Sequence, residues 1–181
     1  MGTSSRSGNS NIILVGFMGT GKTSVAKELA RRLGRRYVSM DRMIEERERM
    51  PVAEIFSKHG EAHFRDVESE VAKEVADMSD VVVDAGGGVV TRDENVSALT
   101  RNGILICLTA SVDKIVERTK GRKHRPLLNV EDPKAKIEEL LSARKSFYAK
   151  ADREIDTSAL SISEVVDKII KEVGTFPKEI P

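Results

Sequence analysis

The apolar positions change period repeatedly along the chain. Short apolar runs stand at residues 12–15 (Ile12, Ile13, Leu14, Val15), 81–85 (broken only by Asp84) and 104–108. Runs of this kind suit strands buried on both faces. Shorter strand patterns follow at 36–39 and 153–156. Between them the apolar residues take helical spacing. Val25, Leu29 and Leu33 share one stripe, and so do Phe64, Val67, Val71, Val75 and Met78. The same spacing recurs in Ile137, Leu140, Leu141 and Phe147, and in Val165, Val166, Ile169, Ile170 and Val173. Helices are therefore expected at 24–33, 43–47, from 51 onward, 61–78, 112–118, about 134–150 and 162–173. Gly34 supplies a helix stop, Pro51 suits a first-turn position, and Gly60 interrupts the helix that Pro51 starts. Strands alternating with helices predict an α/β fold with a parallel sheet covered on both faces.

Residues 11–174 read as one domain. Residues 1–10 are small and polar, as in a disordered leader or a cloning remnant, and 175–181 as a frayed tail. Residues 119–133 run basic, then acidic, without a period, and read as a mobile loop. The chain of 181 residues is long enough for one well-filled core. Its net charge of +1 points to no nucleic-acid or membrane surface. No apolar run approaches the length of a membrane span, and a cytoplasmic setting is expected. Cys107, the single cysteine, lies inside an apolar run and reads as a buried, unreactive thiol.

One motif changes the picture. Gly16-Phe17-Met18-Gly19-Thr20-Gly21-Lys22-Thr23 matches G-x-x-x-x-G-K-[ST], between an expected strand and an expected helix. Glycines there let consecutive backbone N–H groups converge on phosphate, and the helix N-terminus adds partial positive charge. Lys22 suits the β- and γ-phosphates of ATP, and the Thr23 hydroxyl suits Mg²⁺. Gly19, Thr20, Gly21 and Ser24 complete the expected nucleotide contacts.

The second substrate must be read elsewhere. Asp41 follows the second strand, where open α/β sheets place ligands. It could take a hydroxyl proton or cap the next helix. Gly86, Gly87 and Gly88 follow a strand that includes Asp84. They would admit a ligand to the backbone or make a tight turn. Asp84 could hold Mg²⁺ through water or bond the glycine turn. Arg65 and Arg144 have the fork geometry for a carboxylate, though a lone arginine is more often solvated. The segment from Lys120 through His124 and Arg125 to Leu128 is basic and lacks aromatics. It fits a lid over ATP better than a nucleic-acid patch.

These motifs, in this order and spacing, resemble the shikimate kinase family. The resemblance rests on the P-loop, Asp41, Gly60-Glu61-x-x-Phe64-Arg65-x-x-Glu68, Gly86-Gly87-Gly88, Arg125-Pro126-Leu127-Leu128, and Arg144 with Tyr148 and Ala151-Asp152. It implies a three-layer P-loop fold like that of the nucleoside monophosphate kinases, with five parallel strands in the order 2-3-1-4-5. It implies transfer of the ATP γ-phosphoryl group to the 3-hydroxyl of shikimate, with Mg²⁺ as cofactor. By matching positions, Asp41 would bind the ring hydroxyls, and Arg65, Arg144 and Gly87 would complete the acceptor site beside Gly86 and Gly88. Phe56, Phe64 and Glu68 would line or orient it. Lys22 and Arg125 would stabilise the transferring charge, and Arg118 would lie against adenine. A monomer acting on small molecules is expected, without nucleic acid or membrane. Three departures stand out: Ser39 occupies the first position of the family's Asp-x-Asp, Asp84 stands where the family usually has a small or polar residue, and a basic residue often found near adenine after strand five is replaced around Leu160. The rival readings are a gluconate-kinase-like enzyme and a ligand-binding protein that has lost transfer.

Overall fold

The computed structural model describes residues 10–120 and 130–174. In chain order the elements are β1 (Asn11–Val15), α1 (Lys22–Leu33), β2 (Arg36–Ser39), α2 (Met40–Glu48) and α3 (Val52–Ala76). There follow β3 (Val81–Asp84), a 3₁₀ turn (Val89–Thr91), α4 (Asp93–Arg101), β4 (Gly103–Thr109) and α5 (Val112–Thr119). The chain continues with α6 (Pro133–Tyr148), β5 (Arg153–Asp156) and α7 (Ile162–Gly174). The five strands form one parallel sheet in the order β2-β3-β1-β4-β5.

Side-chain alternation along the strands divides the core into two layers. Ile13, Val15, Val81, Val83, Leu105 and Cys107 face one side, where α2 to α6 pack through residues such as Ile44, Val71, Leu99, Ile115 and Ile137. Ile12, Leu14, Val82, Ile104, Ile106 and Leu108 face the other, against Val25 and Leu29 of α1 and Val165 and Ile169 of α7. Fully burying each such side chain is worth roughly 1.5–3 kcal/mol, which explains why the central strands carry no polar face. Cys107 lies in this core, and burial pushes its thiol up to about 12.

The turns behave as their residues dictate. Gly34 ends α1 in the left-handed region at φ 64°. Gly60, at φ 82° and ψ 172°, breaks α3 internally, so one run of helix contains two segments. Pro51 sits at the N-cap of α3 rather than inside its first turn. The helix α4 is absent from the apolar pattern. Only Asn95 and Leu99 of its nine residues are buried, too few to show a stripe, and its start is marked instead by Asp93 and Glu94. Of the expected loop at 119–133, the first residue belongs to α5, which Thr119 closes, and the last to α6, which Pro133 opens. Residues 121–129, including Arg125, lie outside the described residues, as do residues 1–9 and 175–181.

The chain runs from β1 outward to β2, returns through β3, and crosses to β4 on the far side of β1. The reversal puts a crevice at the carboxyl ends of β1 and β3, the position where open α/β sheets bind ligands. The P-loop leaves β1 there and the glycine turn leaves β3.

Candidate active site

A cavity of ≈ 1280 Å³ opens at that edge. The P-loop from Met18 to Ser24 lines one end, with Arg118, Thr157 and Leu160. Asp41, Phe56, Gly86, Gly87 and Arg144 line the other, and Asp84 stands between. Two sets of residues far apart in sequence therefore share one cavity.

The P-loop is shaped by its glycines. Gly16, Gly19 and Gly21 have φ of 137°, 81° and 95°, a region that side chains disfavour. A Cβ at Gly16 would also stand 2.2 Å from the Leu108 carbonyl oxygen. Gly21 is the N-cap of α1 with no side-chain cap and no acid in the first turn, so the positive end of the helix is left for an anion. Thr20 is buried, its hydroxyl donating to the Phe17 carbonyl at 2.7 Å. Lys22 Nζ donates to the same carbonyl at 3.0 Å, holding the ammonium over the loop. Arg118 bridges the loop to the segment after β5, donating to the Gly19 carbonyl at 3.2 Å and the Thr157 carbonyl at 2.8 Å. Thr157, which no motif singles out, is buried and donates to the Thr20 carbonyl at 3.0 Å.

None of the three glycines after β3 has a positive φ, so what matters there is close approach. A Cβ at Gly86 would lie 3.3 Å from Glu68 Oε1 and 3.4 Å from Asp41 Oδ1. At Gly87 it would lie 2.6 Å from the Gly16 carbonyl oxygen, and at Gly88 2.2 Å from Arg65 Nη1. The turn thus lets P-loop, Asp41 and Arg65 converge. Tyr148 fixes it from α6, its hydroxyl donating to the Gly87 carbonyl at 3.1 Å.

Asp41 does not cap α2. Ser39 does, accepting from the Arg42 amide at 3.3 Å, and Asp41 lies within the first turn. Its carboxylate is open to solvent on the cavity side but crowded by protein on the others. Desolvation there, and then the charge of Asp84, hold its pKa above the usual carboxylate range, with Lys22 opposing. A raised pKa strengthens the carboxylate as a base.

The two arginines differ in their surroundings. Arg65 Nη1 donates to Glu68 Oε2 at 2.7 Å, and Nε and Nη2 donate to Glu61 Oε1 at 3.3 and 3.2 Å. Burial pushes the Glu68 carboxyl up, and Arg65 pulls against that shift. Arg92 holds the backbone beneath, donating to the Arg65 carbonyl at 3.1 Å and to Asp66 at 2.8 Å. This support lies in the stretch between β3 and β4, where the apolar pattern gives no signal. Arg144 stacks over the Phe17 ring at 5.7 Å, and among the described residues no carboxylate pairs with it. Phe56 is partly exposed, and its ring lies 4.6 Å from that of Phe64. Phe64, Arg65 and Glu68 do not line the cavity themselves; they stand around its wall.

Asp84 accepts from the Thr23 hydroxyl at 2.5 Å and from the Tyr37 hydroxyl at 3.3 Å. No amide of the glycine turn bonds it among the described residues, so it does not serve as a turn cap. Ser39 and Asp84 are register partners on adjacent strands, so the acid sits one strand over from the serine. Burial, and then the charge of Asp84, push the Tyr37 phenol up to about 12. A hydroxyl and a carboxylate beside a phosphate-binding loop suit a hard, oxygen-seeking cation. No group of three or more His, Cys, Asp or Glu side chains converges among the described residues.

Fold and site together define a P-loop phosphotransferase whose cavity extends past the P-loop to room for an acceptor. The family model described as "Shikimate kinase" matches residues 18–174. A shikimate kinase of Thermodesulfovibrio yellowstonii is 51% identical over 162 residues, covering 90% of this chain and 94% of that one. A shikimate kinase of Geobacter sulfurreducens is 41% identical, covering 93% and 91%. Among solved structures, the shikimate kinase from Acinetobacter baumannii in complex with shikimate superposes with a TM-score of 0.87 at 36% identity, over 93% of this chain and 94% of that one. The shikimate kinase from Aquifex aeolicus gives 0.75 at 30% identity, over 91% and 96%. The chain belongs to the shikimate kinase family.

Proposed function

We infer that the protein transfers the γ-phosphoryl group of ATP to the 3-hydroxyl of shikimate, giving shikimate 3-phosphate and ADP. The observation that carries this reading is the shared cavity: a P-loop at one end, and at the other Asp41 and Arg144, with which no carboxylate pairs among the described residues. ATP lies with its phosphates on the amides of Gly19, Thr20 and Gly21, Lys22 against the β- and γ-phosphates, and Thr23 and Ser24 at the start of α1. Arg118 borders the adenine end. Shikimate lies with its carboxylate on Arg65, Arg144 and the backbone at Gly87, and its hydroxyls on Asp41. Phe56 and Phe64 form the apolar wall, Glu68 orients Arg65, and Gly86 and Gly88 keep the approach open.

Asp41 takes the proton from the 3-hydroxyl as that oxygen bonds to the γ-phosphorus and the bond to the ADP oxygen breaks. Lys22 stabilises charge developing on the transferring group, as would Arg125 from outside the described residues. Mg²⁺ would be held by Thr23 directly and by Asp84 through water, and it would supply charge neutralisation for the transferring phosphoryl group. No helix among the described residues is long and apolar enough to cross a membrane. The reading adds that the enzyme acts as a cytoplasmic monomer on these two small molecules.

The test is a pair of variants. Arg65→Ala or Arg144→Ala removes one partner of a charge pair with the acceptor, a loss of about 2–5 kcal/mol. Shikimate kcat/KM should fall by at least about 30-fold while ADP affinity stays near that of the parent protein. Either variant working on shikimate at the parent's kcat/KM would remove the arginines from the site.

A further inference from the structure

Arg65 carries two carboxylates, and they are held very differently. Glu68 meets Nη1 through one oxygen at 2.7 Å, and its side chain is 2% exposed. Glu61 uses a single oxygen for both Nε and Nη2, at 3.3 and 3.2 Å, and is 67% exposed. The contrast within the same protein is Arg31, whose Nε and Nη2 bind the two separate oxygens of Glu28 at 2.9 and 2.7 Å. The fork face of Arg65 that suits a bidentate carboxylate is thus occupied, but loosely.

We propose that Glu61 is a displaceable stand-in for the acceptor's carboxylate, holding the Arg65 fork before the acceptor binds and yielding it when the substrate arrives. The proposal rests on the reading of the acceptor as shikimate, a carboxylate-bearing alcohol. A third carboxylate arriving with both glutamates in place would put three anions around one cation. One must leave, and only Glu61 can rehydrate without uncovering a buried charge. Its position permits this. Gly60 breaks α3 immediately before it, and the space beside Gly60 is open, with nothing within 4 Å of a Cβ there. Release needs a side-chain rotation and no backbone movement. The second arm needs no release, because no carboxylate pairs with Arg144 among the described residues. Before the acceptor binds, one arm is therefore held by a carboxylate and the other is not.

The experiment is calorimetric titration of shikimate, and of its uncharged methyl ester, into the parent protein and the Glu61→Gln and Glu61→Ala variants. Phosphorylation of shikimate by the parent protein is measured first. An exposed ion pair is worth about 0.2–1 kcal/mol, so both variants should bind shikimate roughly 1.4- to 5-fold more tightly. Their affinity for the ester should match the parent's. Weaker or unchanged shikimate binding in both variants would overturn the proposal, and so would an equal gain for the ester. If the parent phosphorylates shikimate and the variants bind it no more tightly, only the stand-in fails. If the parent does not phosphorylate shikimate, the functional reading fails first.

Discussion

Gly88→Ala should separate folding from acceptor binding. The Gly88 backbone sits at φ −97° and ψ −11°, which alanine adopts without strain. The added methyl would lie 2.2, 2.4 and 2.5 Å from Nη1, Nη2 and Cζ of Arg65. Those atoms end a flexible side chain, so the guanidinium moves and the turn stays. Moving it breaks the contact with buried Glu68, whose carboxyl is already pushed up by burial and would then take a proton instead. The fold survives, but one arm of the proposed carboxylate clamp is lost. At about 2–5 kcal/mol for a desolvated charge contact, shikimate affinity should drop by roughly 30- to 4,000-fold. Gly87→Ala makes the contrast, because its methyl would meet the Gly16 carbonyl oxygen at 2.6 Å, a backbone atom of the P-loop. That variant should lose ADP binding and thermal stability together. Shikimate and ADP titrations, with melting curves, read both. Shikimate binding by Gly88→Ala within about threefold of the parent, well short of the 2–5 kcal/mol loss, would refute the reasoning.

Three further outcomes follow from the same geometry. Asp84→Ala should weaken Mg²⁺-dependent ADP binding and activity by about 10–100-fold, and Ser39→Asp in that background should restore part of it, since the two positions are register partners; unchanged Mg²⁺ dependence in a titration would remove Asp84 from the metal's surroundings. The raised Asp41 pKa means the folded protein holds that proton more tightly than the unfolded chain. Its contribution to stability is present below the ordinary value of 3.8 and is lost as pH rises through the raised one. Asp41→Asn should therefore melt higher than the parent at pH 7 and not at pH 3, while abolishing transfer; a lower melting temperature at pH 7 would count against the desolvation argument. Cys107, its thiol held up at about 12, should resist alkylation at pH 8 until the protein unfolds, and rapid native-state labelling would contradict its burial.

The parts of this molecule that were legible in the sequence are those with a strong local signal. The apolar strands and striped helices appear in place, and the P-loop binds its own backbone as the motif requires. What was not legible depends on contacts between distant segments. Gly86, Gly87 and Gly88 could be read as a ligand approach or a turn, but the reason for each lies elsewhere in the chain, at Glu68, Gly16 and Arg65. Asp41 could be a cap or a base until Ser39 was seen to hold the cap. Arg92, Thr157 and the whole of α4 act through backbone carbonyls or a mostly polar surface, which no periodicity records. The proposed pairing of Arg65 and Arg144 on a carboxylate could not be read from composition, because one solvated arginine looks like any other.

The central claim is tested most directly by ADP release with ATP and Mg²⁺ in the presence of shikimate, of gluconate, or of no acceptor, with the phosphorylated product identified by NMR. The account predicts rapid release with shikimate alone, a product phosphorylated at the 3-hydroxyl, and only background with gluconate or without acceptor. Equal release under all three conditions, or a preference for gluconate, would contradict it.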